Sequence, residues 1–136
     1  MIPLLLDTCV VIWFLDGQLP SAARTALANA AAKGNDVFVS PICAWELGLL
    51  VSRGRLRLSM TPVDWFERLL AAPGIALAEL SPRLLVHSSF LPGTPPRDPA
   101  DRIIAATARA NGYCIMTRDR QLLDYAAEGH VKALAC

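Results

Sequence analysis

Short runs of consecutive apolar residues, separated by longer helical stretches, constrain the fold of this chain most strongly. A strand with one face in water alternates polar and apolar residues, whereas a strand covered on both faces is apolar throughout. The runs here are of the second kind and predict parallel strands. Strands that alternate with helices predict a three-layer α/β domain, in which a central, mainly parallel sheet lies between two layers of helices. The predicted strands are residues 3–6, 37–39, 75–80, 113–117 and 131–134.

Helix start and stop signals lie between these strands. Ser21 is a predicted N-cap, Pro41 a predicted first-turn proline, and Thr61 with Asp64 resembles a capping box. A proline-rich loop at 91–97 precedes the sixth helix. The predicted helices are residues 8–15, 21–33, 41–52, 61–72, 81–89, 99–111 and 120–127.

Four carboxylates stand alone in apolar surroundings beside these elements. Asp7 directly follows the first strand, and Asp119 lies just past the fourth. Asp101 is in the first turn of the sixth helix, and Glu46 is about one turn inside the third. In open parallel sheets, ligands bind beyond the carboxyl ends of the strands. The four acids therefore meet at one edge of the sheet if the first and fourth strands are neighbours.

Like charges held close together need protonation, a basic partner or a divalent cation to relieve their repulsion. Oxygen ligands without His or Cys suit Mg²⁺, with Mn²⁺ as the alternative. Asp7, Asp101 and Asp119 lie near predicted helix N-termini, where the helix dipole favours the ionised carboxylate. Each acid alone has a simpler role, because those three could cap helices and Glu46 could pair with an arginine. The metal hypothesis therefore depends on the whole set.

The bulk composition excludes a membrane span and indicates one domain over residues 1–136. Hydrophobic residues make up 54% of the chain, but Asp7, Asp16, Pro41 and Glu46 interrupt the apolar stretches before any reaches a membrane-spanning length. The start of the sequence lacks the pattern of a signal peptide, so we predict a cytoplasmic protein.

Cysteine and charge carry further information. Four cysteines without a Cys-x-x-Cys pair, and only two histidines, make a zinc site improbable, and reduced thiols are expected. Cys9, Cys43 and Cys114 are predicted to pack as small apolar residues. The 13 basic residues face 12 acidic ones, so setting aside the four acids leaves a net charge of +5, carried almost entirely by arginine. This surplus permits a nucleic-acid partner.

Four segments occur in an order and spacing that resemble one known family. They are Leu-Leu-Leu-Asp-Thr at 4–8, Ser-Pro-Ile-Cys-Ala-Trp-Glu-Leu at 40–47, Arg-Asp-Pro-Ala-Asp-Arg at 97–102 and Thr-Arg-Asp at 117–119. The chain resembles the PIN-domain ribonucleases, specifically the VapC-like toxins of type II toxin–antitoxin systems. It departs from that subgroup at Cys9, where His is common, and at Ala100, where Phe is frequent. Neither departure removes an expected metal ligand.

The resemblance implies a PIN-like α/β/α fold and a metal-dependent endoribonuclease whose products carry 5′-phosphate and 3′-hydroxyl ends. It implies that the four acids form the catalytic, metal-binding site, with Asp98 as a supporting acid. Thr8 and Thr117 are expected to hydrogen-bond the ligand carboxylates. The expected ligands are Asp7, Glu46, Asp101 and Asp119. Arginines that flank the acids in sequence are candidates for holding the RNA backbone, namely Arg97, Arg102, Arg118 and Arg120, together with Arg53, Arg55 and Arg57 after the third helix.

The resemblance also implies a homodimer and a cognate antitoxin that covers the site. We expect an apolar, partly exposed groove beside Glu46, bordered by the helices that begin at Ser21 and Pro41. The tryptophans Trp13, Trp45 and Trp65 are predicted to pack in the core or in an interface rather than to stack on bases.

Two other functions remain open from the sequence. One is a non-catalytic PIN-fold binding module that keeps an acidic pocket. The other is an aspartyl-phosphate enzyme that uses Asp7, although Cys9 stands where dehalogenase-type phosphatases carry a second Asp. The sequence contains no phosphate-binding glycine loop, which argues against nucleotide cofactors.

Overall fold

A computed structural model describes residues 2–34 and 37–136. Within these residues, five strands form one sheet in which every pairing is parallel. The strands are β1 (Leu4–Leu6), β2 (Val37–Val39), β3 (Ile75–Leu77), β4 (Cys114–Thr117) and β5 (Lys132–Ala135). Their order across the sheet is β3-β2-β1-β4-β5. The predicted three-layer α/β/α fold class is confirmed, with helices packed against the central sheet.

A capping side chain followed by proline begins four of the seven helices in the described part of the chain. Ser40, Thr61, Ser81 and Asp98 each accept a hydrogen bond from a backbone N–H in the first turn, and each precedes a proline that needs no such bond. The helices are α1 (Thr8–Asp16), α2 (Ser21–Ala31), α3 (Pro41–Ser52), α4 (Pro62–Leu70), α5 (Pro82–His87), α6 (Pro99–Asn111) and α7 (Arg120–Ala127).

The strand order places the carboxyl end of β1 at the centre of one sheet edge. β1 pairs with β2 on one side and with β4 on the other, so Leu5 lies opposite both Phe38 and Ile115. β2 and β3 lie on one side of β1 in the sheet, and β4 and β5 lie on the other side. Such a reversal opens a crevice beyond the carboxyl ends of the strands that flank it. β1 and β4 are neighbours, which is the condition under which the four acids were expected to meet at one edge of the sheet.

The core is built from the sheet and the inner faces of the helices. Leu5, Leu6, Ile115 and Met116 have no exposed surface, because both faces of β1 and β4 are covered. Tyr125 of α7 is also fully buried, and its hydroxyl donates a 2.6 Å hydrogen bond to the carbonyl of Pro92. That bond attaches the proline-rich loop to the core. Over residues 2–34 and 37–136, the helices are all too short or too polar to cross a lipid bilayer.

Most element boundaries lie within two residues of prediction, and two differences have a local cause. Ser21 is the first residue of α2 rather than its cap, because Pro20 occupies the cap position with φ of −56°, and no side chain caps this helix. The predicted strand 75–80 ends at Leu77, since β2, its neighbour, also ends after three residues and leaves no further partner.

We expect Tyr125→Phe to lower the free energy of unfolding by about 1 kcal/mol, because it removes the bond to Pro92 and leaves the ring in place. Urea unfolding followed by circular dichroism measures the change. Tyr113→Phe is the matched control, since that ring stacks on Phe38 with centroids 4.6 Å apart and its hydroxyl bonds no group in the part of the chain that the structure describes. Equal stability of the two variants would contradict the role of the Tyr125 bond.

Candidate active site

A cavity of about 590 Å³ opens at the carboxyl edge of the sheet, beside β1 and β4. Its walls come from α1, α3, the start of α6 and the link between β4 and α7. Five carboxyl groups line it, and all four acids that the sequence singles out are among them. The five are Asp7, Glu46, Asp98, Asp101 and Asp119.

Asp7 lies at the base of this cavity and is fixed from both sides. It is only 5% exposed and caps α1, with Oδ1 accepting a 2.8 Å bond from the N–H of Thr8. Its Oδ2 accepts a 2.7 Å bond from the hydroxyl of Thr117. The Thr117 hydroxyl in turn accepts a 2.9 Å bond from the N–H of Asp119. One hydroxyl therefore connects two acids that are more than a hundred residues apart.

Glu46 reaches the cavity from α3. It is half-buried and its Oε1 accepts a hydrogen bond from the hydroxyl of Thr8, whose backbone N–H bonds Asp7. Within residues 2–34 and 37–136 it forms no ion pair with an arginine, so the simpler structural role considered from the sequence is absent there. Thr8 thus connects Glu46 to Asp7, as Thr117 connects Asp119 to Asp7.

Of the remaining three acids, two lie at the start of α6 and one at the start of α7. Asp98 caps this helix, and its Oδ1 accepts bonds from the N–H groups of Ala100 at 2.7 Å and Asp101 at 3.4 Å. The alternative in which Asp101 caps the helix is therefore wrong, because Asp101 lies three residues inside. Asp119 does cap a helix, since its Oδ2 accepts a 3.0 Å bond from the N–H of Leu122 in α7.

Burial and mutual repulsion raise the pKa of three acids of the cavity. Burial is the largest cause that raises the pKa of Asp7, Glu46 and Asp101. For Asp101, the charges of Asp7 and Asp119 add to burial and raise the pKa to about 8. The helix dipole favours the ionised form of Asp7 and Asp101, but the pKa of both acids is raised, because desolvation outweighs the dipole. A divalent cation would reverse this balance.

Carboxylates are suitable ligands for a hard divalent cation, but those in this cavity do not already surround a common centre. In the described ranges, no three His, Cys, Asp or Glu side chains are arranged to hold a metal ion. Four of the five acids instead accept bonds from threonine or from helix N–H groups; only Asp101 lacks such a bond within those ranges. Carboxylate oxygens alone, in a half-buried cluster of like charge, are the environment that Mg²⁺ and Mn²⁺ relieve.

Arginines line the cavity together with the acids. Of the four arginines adjacent to the acids in sequence, Arg118 lines the cavity, and Arg53 and Arg55 line it from the end of α3. Arg97 lines a separate recess, where its backbone N–H donates a hydrogen bond to the side-chain oxygen of Gln121. The other two do not line the acidic cavity: Arg102 is half-buried in α6, and Arg120 is exposed at the start of α7.

The three tryptophans differ in burial, and the predicted packing of one cysteine is wrong. Trp65 is buried, Trp13 is half-buried and packs against the core, and Trp45 is 57% exposed, so the predicted interface role of Trp45 stays a prediction. Cys43 is buried as predicted, whereas Cys9 is exposed in the cavity. α3 is apolar on nearly all sides, so no polar stripe marked which side faces outward.

An apolar groove does lie beside Glu46, with different borders from those predicted. Trp45, Leu49 and Leu50 of α3 form its apolar wall. The helix that begins at Ser21 contributes no residue to it and instead lines a separate cavity of about 200 Å³. α1 takes its place because it begins directly at the carboxyl end of β1, where the cavity opens.

Comparison with known proteins agrees with this architecture. Residues 4–128 match the family described as the PIN domain. The chain belongs to the PIN domain family. This PIN domain is 30% identical, over 122 residues, to ribonuclease VapC22 of Mycobacterium tuberculosis, a match that covers 90% of this chain and 91% of that protein. The resemblance to VapC-like toxins is confirmed by this relative.

Solved structures give the same result for the fold. The PIN domain matches a chain in the crystal structure of VapBC2 from Rickettsia felis bound to a promoter DNA fragment, with a TM-score of 0.72, 16% identity and coverage of 99% and 98% of the two chains. It also matches a chain of FitAcB from Neisseria gonorrhoeae, with a TM-score of 0.57, 25% identity and 96% coverage of both chains.

The raised pKa of Asp101 predicts how stability depends on pH. Its pKa of about 8 in the folded protein lies above the ordinary value of 3.8, so the metal-free protein loses stability as pH rises between the two, and the loss is complete above the higher value. Asp101→Asn should therefore raise the unfolding free energy at about pH 8.5 by on the order of 1 kcal/mol, after allowance for solvent screening.

Thermal unfolding in EDTA measures this effect. Well below pH 3.8 the variant and the wild type should unfold at the same temperature, because Asp101 is then protonated in both states. Asp124→Asn, an exposed position on α7, controls for the loss of one negative charge. A stabilisation that is equal at both pH values would contradict the assignment.

Proposed function

We propose that this chain is a metal-dependent endoribonuclease and the toxin of a toxin–antitoxin pair. The observation that carries the proposal is the convergence of carboxylates from separate elements on one cavity at the reversal point of the sheet. Its relationship to ribonuclease VapC22 supports the ribonuclease activity. Its fold, shared with proteins crystallised as VapBC and FitAcB, supports the toxin role.

The acids have different tasks in this proposal. Asp7 and Asp101 are the primary ligands of Mg²⁺ or Mn²⁺, since Asp7 is the most deeply fixed acid and Asp101 is the one without a competing hydrogen bond in the described ranges. Glu46 and Asp119 ligate a second ion or orient the attacking water. A bound divalent cation supplies activated water and stabilises charge that develops on the phosphate oxygens.

The two threonines and Asp98 hold this arrangement in place. Thr117 fixes the orientation of Asp7 and the backbone of Asp119, and Thr8 holds Glu46. Asp98 orders the first turn of α6, on which Asp101 is carried. Supporting hydrogen bonds of this kind orient ligands and tune their basicity.

The cavity wall offers distinct surfaces to RNA and to a protein partner. Arg53, Arg55 and Arg118 offset the negative charge of the acids and would contact the RNA backbone. The apolar groove of Trp45, Leu49 and Leu50 would accept a segment of a cognate antitoxin, which would also close the cavity. A homodimer acting in the cytoplasm completes the proposal.

The second candidate is a PIN-fold binding module without catalytic activity. One observation favours it: the carboxylates are engaged in hydrogen bonds rather than gathered around a common centre, within residues 2–34 and 37–136. The two candidates differ in one property, which is cation-dependent cleavage.

Purified protein, freed of any antitoxin, should cleave transfer or ribosomal RNA with Mg²⁺ or Mn²⁺ and not with EDTA. Mapping of the ends should show 5′-phosphate and 3′-hydroxyl groups. Asp7→Asn and Asp101→Asn should each lower the rate at least about 100-fold, because each removes a cation ligand. Asp124→Asn should leave the rate unchanged, and circular dichroism checks the fold. Undiminished cleavage by folded Asp101→Asn would exclude the mechanism.

Thr117→Val should weaken binding of Mn²⁺ by about tenfold or more, because Asp7 loses the hydroxyl that orients it while the side chain keeps its shape. Isothermal titration calorimetry measures the affinity without a substrate. Thr107→Val, which alters a buried hydroxyl bonded only within α6, is the matched control. Equal affinity of the two variants would remove Thr117 from the site.

A further inference from the structure

Arg118 is the most firmly held cation in the wall of the cavity. Its guanidinium lies over the ring of Trp13, with Cζ 4.1 Å from the ring centroid. Its Nε donates a 3.2 Å hydrogen bond to the carbonyl oxygen of Cys136. The ring and the carbonyl restrain the guanidinium from two directions, and both contacts leave its two terminal NH₂ groups unused.

The terminal NH₂ groups are available to an anion. Among the residues that the structure describes, they form no hydrogen bond, and Arg118 forms no ion pair with any of the five acids. An arginine whose task was to neutralise those acids would form a bidentate pair with one of them. Arg118 instead lies beside the acidic cluster with its donors free.

The other two arginines of the cavity lack this preorganisation. Arg53 and Arg55, like Arg118, are exposed, but in the described ranges the guanidinium group of neither stacks on an aromatic ring or donates to a carbonyl. A long side chain that is free in solution loses rotamer entropy when it binds a ligand, whereas a stacked guanidinium has already lost it. Arg118 therefore contributes more affinity per contact.

We propose that Arg118 is the fixed phosphate-binding residue for the RNA strand, and that Trp13 is a positioning residue that holds it beside the acids. The proposal rests on the ribonuclease function proposed above and adds the group of the RNA that is recognised. A guanidinium fork matches the non-bridging oxygens of a backbone phosphate, and it places that phosphate next to the carboxylates. Arg118 thus reduces the repulsion that an acidic cavity exerts on RNA.

Binding can be measured without cleavage, in EDTA, with fluorescein-labelled single-stranded RNAs of several unrelated sequences and fluorescence anisotropy. Arg118→Ala should weaken binding about tenfold for every sequence and reduce the slope of log affinity against log salt by about 0.7. Arg68→Ala, an exposed arginine of α4 outside the cavity, should change neither. Arg118→Ala that matches Arg68→Ala would overturn the proposal. A loss confined to guanine-containing RNAs would also overturn it, because the contact would then be to a base edge.

A double-mutant cycle tests the role of Trp13. Trp13→Leu should weaken binding when Arg118 is present and have no further effect in Arg118→Ala, whereas Trp13→Phe should restore part of the affinity through its smaller ring. Equal losses in both backgrounds would make Trp13 merely structural and refute its positioning role. The test measures binding and requires no cleavage. It therefore remains valid if the protein does not cut RNA, and cleavage by the wild-type protein would not decide its result.

Discussion

The hydrogen bond between the hydroxyl of Thr117 and the carboxylate of Asp7 is the contact on which the site depends. It exists because β1 and β4 are parallel neighbours, which brings the ends of two distant strands side by side. The same hydroxyl accepts a hydrogen bond from the backbone N–H of Asp119. Because Asp119 is the N-cap of α7, this bond fixes the start of that helix. Strand pairing therefore determines the positions of Asp7 and Asp119, and two threonines orient the carboxylate oxygens of Asp7 and Glu46.

Burial disfavours the charged form of a carboxylate, which indicates that these acids serve a function rather than the stability of the fold. Desolvation and like charge raise the pKa of Asp101 to about 8. A structural acid in such surroundings would be expected to acquire a basic partner, because an unpaired buried charge is strongly disfavoured. The acids here cap helices and accept threonine bonds, yet they form no ion pair within residues 2–34 and 37–136. A cluster kept in this state is suited to a divalent cation.

Charges of both signs line the one cavity. Five carboxyl groups and three arginines, Arg53, Arg55 and Arg118, contribute to its lining. In the proposed function, the carboxylates hold the cation and the arginines hold the phosphates of the RNA strand. Trp45, which is 57% exposed beside Glu46, belongs to the surface proposed for the antitoxin.

Much of the secondary structure could be predicted because its signals are local. A cap followed by proline defines the start of α3, α4, α5 and α6 within a few residues, and tertiary contacts do not change it. The same is true of Asp7, which directly follows an apolar strand, and of Asp119, which lies two residues past one, because both places can be read from the sequence. The prediction that Ser21 caps α2 was wrong because the preceding residue, Pro20, occupies the N-cap position. Ser21 is therefore the first residue of the helix.

The sequence by itself determined the parallel α/β class, the helix starts and the identity of the acids, since each depends on neighbouring residues along the chain. Only the tertiary structure decided that α1 rather than α2 borders the groove, that Trp45 is exposed and that Arg118 rests on Trp13. It also decided the protonation of Asp101. These properties depend on burial and on the charges of segments that are distant in the sequence. Such effects act through space, so no periodic pattern in the sequence indicates them.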